Sequence, residues 1–278
     1  MQPALGITGS TGNLGGRVAR RLAETGYGQR LLVRDLARAP KLPGAQARTI
    51  TYADTPAVRE ALTSVQTLFM VSGTESQTRV QEHQGLIDAA VAAGVRHVVY
   101  VSFFGAAPDA TFTHARDHWH TEQYLRSAGV AFTFLRNNLY ADSLAGLAGP
   151  DGVLRGPAGD GRAAVVAQDD IAEVAVTVLG DPAAHAGRTY DLTGPEALTL
   201  AEVAETLTAT TGRPHRYEQE TMEQALASRA GYDAPEWLVK AWISTYSAIA
   251  AGELAEVGTA VPELLGRPAT SLKELLSR

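Results

Sequence analysis

Short apolar runs and amphipathic segments alternate along the first half of the chain. The apolar runs predict six strands, at residues 4–8, 30–34, 47–51, 67–72, 97–104 and 131–136. Between them, apolar residues recur at helical spacing and predict four helices, at residues 15–26, 55–64, 78–94 and 114–129. Strands that alternate with helices in this way are joined by crossovers and run parallel. The pattern therefore predicts an α/β protein with a doubly wound parallel sheet.

The pattern changes after residue 137. Residues 145–166 are rich in glycine and proline, which predicts loops with short strands. Further elements are predicted as a helix at 168–182, a strand at 187–194 and helices at 199–212 and 234–252. We therefore predict a core of residues 1–137, to which elements near 163–194 return. A smaller α/β C-terminal lobe of residues 138–278, discontinuous with this core, completes the chain.

Composition narrows the class of protein. The 278 residues are 45% hydrophobic and 19% charged with a formal net charge of -6, which is typical of a folded globular chain. No basic stripe alternates with aromatic residues, so a nucleic-acid partner is not expected. No apolar run is long enough to span a membrane, and the N-terminus lacks a leader pattern, so a cytoplasmic protein is expected. The chain has no cysteine, which excludes disulfides and thiolate chemistry.

A glycine-rich stretch, TGSTGNLG, follows the first strand and opens the first helix. In the spacing Gly9-x-x-Gly12-x-x-Gly15, the first glycine allows a tight turn and the second lets the backbone approach a pyrophosphate. The third lets the helix pack on the strand, and the helix N-terminus favours phosphate. The alternative is a glycine-rich turn that binds nothing. Its strand–helix–strand context favours a dinucleotide site of the Rossmann type. The contacts are expected from Gly9, Ser10, Thr11, Gly12, Asn13, Leu14 and Gly15.

The end of the second strand carries the residues that distinguish NADP from NAD. An acid at this position holds the ribose 2′-hydroxyl of NAD, whereas an arginine pairs with the 2′-phosphate of NADP. Arg34 comes first here and Asp35 second, and Arg38 lies one turn further on. The alternative is an exposed surface arginine. We predict NADP(H), with NAD(H) not excluded.

The glycine spacing resembles the short-chain dehydrogenase/reductase superfamily. That resemblance implies a serine after the fifth strand and a tyrosine four residues before a lysine on the next helix. Ser72 and Ser102 end the fourth and fifth predicted strands, but no Tyr-x-x-x-Lys occurs in the chain. The lysines are Lys41, Lys240 and Lys273, and none lies near the fifth strand. The tyrosine–lysine proton relay is therefore absent from this sequence.

Other stretches resemble the atypical, NmrA-like group of that superfamily. They are ITGSTGNLGG, LLVRD, AAVAAGVRHVVYVS, HTEQYLRSAGVAFTFLRNNLY and DDIAEVAVTVL, and the similarity extends over nearly the whole chain. Within the group they are most similar to type-2 NAD(P)H:quinone oxidoreductases and triphenylmethane reductase. In this group a histidine commonly takes the lysine position, and His118 occupies it here. The group often has Gly-Asp after the third strand, near the adenine, whereas this chain has Thr51 and Tyr52. The cofactor contacts that the resemblance implies are the 9–15 loop, Arg34, Val71, Ser72, Gly73, residues 101–103 with Ser102, and His118.

Candidate catalytic residues follow the fifth strand. His114, His118, His120 and Asp117 suggest a metal site, but His120 lies elsewhere on the helix and no distant partner motif is visible, so no metal is expected. The alternative for His118 is a structural role in a packed helix face. Asn137 ends the sixth strand, at the edge where open α/β sheets bind ligands. We predict that His118, Asn137 and Tyr140 orient the reacting groups.

Two functions fit this sequence. The first is an NAD(P)H-dependent reductase of quinones or similar conjugated aromatic molecules, because such acceptors stabilise added electrons without a strong acid. The second is a regulatory protein of the NmrA-like group that binds NAD(P) and catalyses nothing. The first is favoured because the chain is short and shows no interaction module. A small aromatic or quinone-like substrate is expected, bound by the C-terminal lobe, in a monomer or homodimer.

Overall fold

The computed structural model describes residues 4–278. Residues 1–3, the start of the segment in which the sequence predicts no leader, lie outside the described residues. The chain divides into two compact units. The first comprises residues 4–103, Asp117–Arg136 and Asp169–Tyr190, and the second comprises Phe104–Arg116, Asn137–Gln168 and Asp191–Arg278. Within the described part of the chain, no helix combines the length and hydropathy that crossing a bilayer requires.

The regular elements alternate as the hydrophobic pattern predicts. The strands are β1 (Leu5–Thr8), β2 (Gln29–Val33), β3 (Ala45–Thr49), β4 (Thr67–Met70), β5 (His97–Phe103), β6 (Ala131–Asn137), β7 (Val153–Gly156), β8 (Arg162–Ala163), β9 (Thr189–Leu192), β10 (Leu198–Thr199) and β11 (Arg216–Gln219). The helices are α1 (Asn13–Glu24), α2 (Pro56–Leu62), α3 (Arg79–Ala92), α4 (Thr113–Ser127), α5 (Gln168–Gly180), α6 (Leu200–Thr211), α7 (Met222–Ser228), α8 (Glu236–Ala250), α9 (Ala260–Leu265) and α10 (Leu272–Leu276).

Seven strands form one sheet in the order β3-β2-β1-β4-β5-β6-β9. The pairs β1–β2, β1–β4, β2–β3 and β4–β5 are parallel, with Ile7 opposite both Leu31 and Phe69. Every residue of β1 and β2 is buried, because both faces of a doubly wound sheet are covered. The chain reverses its direction of winding between β1 and β4, which is where ligands bind in such sheets. The predicted doubly wound fold is confirmed.

Some element bounds differ from the predicted ones for local reasons. β2 begins at Gln29, a polar residue that the apolar pattern left out. Gln29 is fully buried, and its side-chain Nε2 donates a 2.7 Å hydrogen bond to the carbonyl of Ala19. α1 begins at Asn13, two residues earlier than predicted, because Gly12 serves as its N-cap.

The second unit contains two small strand pairs and most of the remaining helices. β7 pairs with β11 in parallel, and β8 pairs with β10 in antiparallel orientation. The hydrophobic pattern did not predict α7, α9, α10, β10 or β11. Two of these helices carry a readable signal, because Thr221 with Gln224 and Ser271 with Glu274 form capping boxes at their N-termini. The missed helices have only five to seven residues, too short for a clear apolar period.

Candidate functional site

The glycine-rich loop has the geometry that its spacing predicts. Gly9 has φ +65°, and a Cβ there would lie 2.9 Å from Cβ of Val71. A Cβ on Gly15 would lie 2.4 Å from the carbonyl oxygen of Gly9. Both positions therefore need glycine for the loop and helix to pack.

Gly12 is different, because a Cβ at this position would meet only the carbonyl oxygen of Gly9, at 3.4 Å. No side chain caps α1 at this residue, and the first turn of the helix carries no acidic residue. Among the described residues, the buried Ser10 hydroxyl has no hydrogen-bond partner. Free helix N–H groups, an unused hydroxyl and open space over a glycine fit the phosphates of a dinucleotide.

Arg34 is the charged residue at the end of β2. It is exposed, and its Nη1 donates a 3.3 Å hydrogen bond to Oγ1 of Thr74. The carboxylate of Asp35 instead accepts a 2.9 Å hydrogen bond from the backbone N–H of Ala37 and caps the short 3₁₀ turn Leu36–Arg38. The acid is thus used in its own turn, while the guanidinium of Arg34 is exposed at the end of the strand.

Two side chains hold the backbone of Val71, just beyond the end of β4. Oγ1 of Thr8 accepts a 2.8 Å hydrogen bond from the N–H of Val71. The hydroxyl of Tyr52 donates to the carbonyl of Val71 and lies 3.0 Å from Oγ1 of Thr8. Burial raises the pKa of Tyr52 to about 12, so this hydroxyl keeps its proton. Tyr52, which departs from the group's Gly-Asp pattern, therefore braces the strand end.

His118 lies on α4 in a buried polar cluster of the first unit. Its Nδ1 is 2.9 Å from the hydroxyl of Tyr100, and its Nε2 is 3.3 Å from Nη2 of Arg79. A guanidinium only donates hydrogen bonds, so Nε2 accepts and Nδ1 carries the proton. Burial raises the pKa of Tyr100 above its usual range, which makes this hydroxyl a poor acid.

The hydroxyl of Ser102 is hydrogen-bonded to a buried ion pair. It donates a 2.6 Å hydrogen bond to Oε1 of Glu122, which is fully buried. Arg136 donates to both oxygens of the same carboxylate, at 2.8 and 2.6 Å. The ion pair therefore links two stretches of the sequence, Thr-Glu at residues 121–122 and Leu-Arg-Asn at residues 135–137. The hydroxyl proton of Ser102 faces a carboxylate and is not directed at a ligand.

Two adjacent asparagines follow Arg136 and differ in their partners. The side-chain amide of Asn138 finds its partners within the second unit. It donates a hydrogen bond to the carbonyl of Leu254 at 3.0 Å and accepts one from the N–H of Leu139 at 2.8 Å. The side chain of Asn137 is 1% exposed, and neither of its amide atoms has a hydrogen-bond partner among the described residues. An unsatisfied buried amide is costly, which singles out Asn137 as a group that a ligand would satisfy.

Tyr140 lines a cavity of about 670 Å³ within the second unit. The cavity wall includes two arginines. Arg229 pairs with Glu220 at 2.8 Å, and its guanidinium lies 5.3 Å from the ring centre of Tyr246, while Arg155 pairs with Asp151 at 2.7 Å. With both charges paired, the cavity suits a flat apolar molecule. The apolar and aromatic lining includes Leu139, Tyr140, Leu144, Val153, Val165, Leu200, Val203, Tyr232, Trp242, Tyr246 and Ile249.

The remaining histidines of α4 have aromatic neighbours. The ring of His114 lies 5.5 Å from that of Phe112, and the ring of His120 lies 4.9 Å from that of Trp119. In the part of the chain that the structure describes, no three histidine, aspartate or glutamate side chains are grouped to hold a metal. Arg79 and Tyr100, the partners of His118, were not predicted from the sequence. Neither were Tyr232 and Trp242 of the cavity, because no local motif marks them.

The fold and the glycine loop define a dinucleotide-binding α/β protein. Residues 1–245 match the model of the NmrA-like family, and the chain belongs to this family. The resemblance inferred from the motifs is thus confirmed.

Three known proteins are similar along almost their full length. The NAD(P)H azoreductase of Xenophilus azovorans is 35% identical, with 96% of this chain and 95% of the relative covered. The structure of the NADPH-dependent quinone oxidoreductase QOR2 of Escherichia coli with NADPH has a TM-score of 0.89 at 31% identity and 98% coverage of both chains. The structure of triphenylmethane reductase of Citrobacter sp. with NADP(H) has a TM-score of 0.87 at 27% identity, again with 98% of both chains covered.

Proposed function

We propose that this protein is an NAD(P)H-dependent oxidoreductase that prefers NADPH and reduces quinones or related conjugated aromatic acceptors. The observation that carries the proposal is the hydrogen bonding of Ser102 and His118, two polar side chains expected near the cofactor. Ser102 donates a hydrogen bond to Glu122, and Nε2 of His118 accepts a hydrogen bond from Arg79. Of the described residues near the candidate cofactor loop, neither Ser102 nor His118 is therefore placed as a strong general acid.

The residues that would hold the cofactor fit its chemistry. The N–H groups at the start of α1 and the hydroxyl of Ser10 would bind the pyrophosphate, and Arg34 would bind the 2′-phosphate. Asn137 would satisfy its amide on the nicotinamide carboxamide or on a substrate oxygen. His118 and the 71–73 segment would position the ring. When bound, NADPH supplies the hydride.

The acceptor class follows from the hydrogen bonds that engage Ser102 and His118. A simple ketone becomes an alkoxide on reduction and needs a proton donor beside it. A quinone or a cationic dye holds the added electron pair in its own conjugated system, so positioning is sufficient and water provides the protons. We assign this acceptor to the apolar cavity of the second unit, with Tyr140 in its wall. The similar proteins are an azoreductase, a quinone oxidoreductase and a triphenylmethane reductase, and these names all denote conjugated acceptors.

A panel of acceptors tests the proposal. NADPH oxidation is followed optically with quinones, azo dyes, triphenylmethane dyes and, as controls, aliphatic ketones. We expect turnover with at least one conjugated class, none with the ketones, and slower turnover with NADH. Tight NADPH binding without oxidation by any acceptor would instead indicate a regulatory protein that senses the cofactor.

A further inference from the structure

The 71–73 segment leaves the sheet beyond the end of β4, so the sheet ladder does not hold its last N–H group. The N–H of Gly73 donates a 2.8 Å hydrogen bond to Nε2 of His83, a residue of α3. At the other end of the segment, Thr8 and Tyr52 hold the N–H and the carbonyl of Val71. Side chains therefore fix both ends of a segment only three residues long.

The second ring nitrogen of His83 determines its tautomer. Nδ1 lies 2.9 Å from Oγ1 of Thr121, and that hydroxyl donates its own proton to the carbonyl of Asp117 at 2.8 Å. Oγ1 therefore accepts from Nδ1–H, which leaves Nε2 as the acceptor that the N–H of Gly73 requires. A second proton on the ring would place two N–H donors against each other and break the bond to Gly73.

The surroundings keep this imidazole neutral. His83 is 0% exposed, and burial, followed by the nearby charge of Arg79, lowers its pKa to about 3. The carboxylate of Asp117 opposes this shift only in part. The hydrogen bond to Gly73 therefore persists across the physiological pH range.

We propose that His83 is a positioning residue for the nicotinamide cofactor, which acts by holding the N–H of Gly73 and with it the cofactor-binding conformation of the 71–73 segment. This inference rests on the proposed function, because it requires that the segment contacts NADPH. His83 acts through the backbone and is not assigned a part in the chemical step. Its α3 location, ten residues beyond Gly73, puts it outside the motifs that suggested the cofactor site.

Three variants separate this role from a structural one. In His83→Leu the acceptor is lost at similar side-chain size. In His83→Gln the Oε1 atom reaches the region of Nε2, so the acceptor is retained. The matched control is His97→Leu, because His97 is also buried in the first unit and bonds Thr133 at 2.8 Å without contacting the 71–73 segment. Affinity for NADPH is measured by fluorescence titration and Tm by calorimetry, and amide exchange at Gly73 is followed in the cofactor-free protein.

We expect His83→Leu to weaken NADPH binding about three- to tenfold, as the loss of one buried hydrogen bond implies, and to speed amide exchange at Gly73. His83→Gln should restore both to within about twofold of the original protein, with kcat at saturating NADPH also within about twofold. His97→Leu should lower Tm but leave the Kd for NADPH unchanged.

An unchanged Kd in His83→Leu, a Gln variant no better than the Leu variant, or equal weakening in His97→Leu would overturn the inference. If the original protein itself failed to bind NADPH, the proposed function would fall and the cofactor role of His83 with it. Normal binding by the original protein and by His83→Leu would overturn the His83 inference alone.

Discussion

Arg136 donates two hydrogen bonds to Glu122, from Nε to Oε1 at 2.8 Å and from Nη2 to Oε2 at 2.6 Å. The carboxylate is 0% exposed and also accepts a hydrogen bond from the hydroxyl of Ser102. This ion pair joins α4 to the end of β6. Arg136 directly precedes Asn137, whose side-chain amide is unsatisfied. The pair therefore directs the Ser102 hydroxyl and fixes the strand end that carries a candidate ligand group.

Glu122→Gln should destabilise the protein by about 3 kcal/mol, because the largely buried guanidinium of Arg136 loses the negative charge of Glu122. Urea denaturation measures this free energy of unfolding. The double variant Glu122→Leu/Arg136→Met is the control, and we expect it to recover most of the loss because it buries no unpaired charge. A change below about 1 kcal/mol in Glu122→Gln would contradict this role of the pair.

The glycine loop allows binding and folding to be separated. In Gly12→Val the side chain would enter the open space at the helix N-terminus, so the protein should fold and fail to bind NADPH. In Gly15→Ala the Cβ would lie 2.4 Å from the carbonyl of Gly9, so the fold itself should lose about 1–3 kcal/mol. Thermal melting and calorimetric titration of both variants check this. NADPH binding by a folded Gly12→Val variant would count against the dinucleotide site.

Arg34→Ala tests the cofactor preference. Only NADPH carries the 2′-phosphate, so its affinity should fall by about 1.5–3 kcal/mol, while the affinity for NADH changes little. Arg38→Ala, an exposed arginine of the following 3₁₀ turn, is the matched control and should have the smaller effect. Kd values for both cofactors decide the matter, and equal losses for NADPH and NADH would mean that Arg34 does not read this phosphate.

The features that the sequence revealed are local ones. The alternation of apolar runs and amphipathic segments determines the doubly wound sheet, and the positions of Gly9 and Gly15 reflect steric needs within seven residues. The family resemblance added His118, and the position at the end of the sixth strand added Asn137, but neither gave the geometry of the side chain.

The features that escaped prediction depend on residues distant in sequence. Arg79 and His118 are 39 residues apart, and Tyr100 and His118 are 18 apart. A buried polar pair of this kind leaves no periodic signal, since a buried histidine or arginine resembles any polar residue on an amphipathic helix. The cavity poses the same difficulty, because Tyr140 and Trp242 come together only through the tertiary fold.

His83 should make the protein sensitive to acid. Its pKa is about 3 in the folded state and about 6.5 in the unfolded chain, so the unfolded chain binds more protons between these values. Stability is therefore retained above about pH 6.5 and falls as the pH drops towards 3. Between pH 7 and pH 5 this group should contribute a loss of about 2 kcal/mol.

His83→Gln provides the comparison for this acid sensitivity, because glutamine does not titrate and the carboxylates common to both proteins cancel. Urea denaturation across this pH range should show the smaller loss in the variant. Equal losses in the two proteins, or a His83 ring that titrates near pH 6.5 by NMR, would disprove the assignment.

His118→Ala tests whether catalysis proceeds without an acid. If a conjugated acceptor is reduced through positioning, kcat should fall about tenfold or less, below the ~10²–10⁴-fold contribution of a true general acid. The loss should be seen mostly in KM or in cofactor affinity, because Nε2 of His118 accepts a hydrogen bond from Arg79 and has no proton to give. His120→Ala, an exposed histidine of the same helix, is the control and should leave the rate unchanged. Steady-state kinetics with a quinone and an aliphatic ketone measure both variants, and the ketone should remain unreduced throughout. A thousandfold fall in kcat with unchanged cofactor affinity would make His118 a proton donor and would overturn the positioning mechanism.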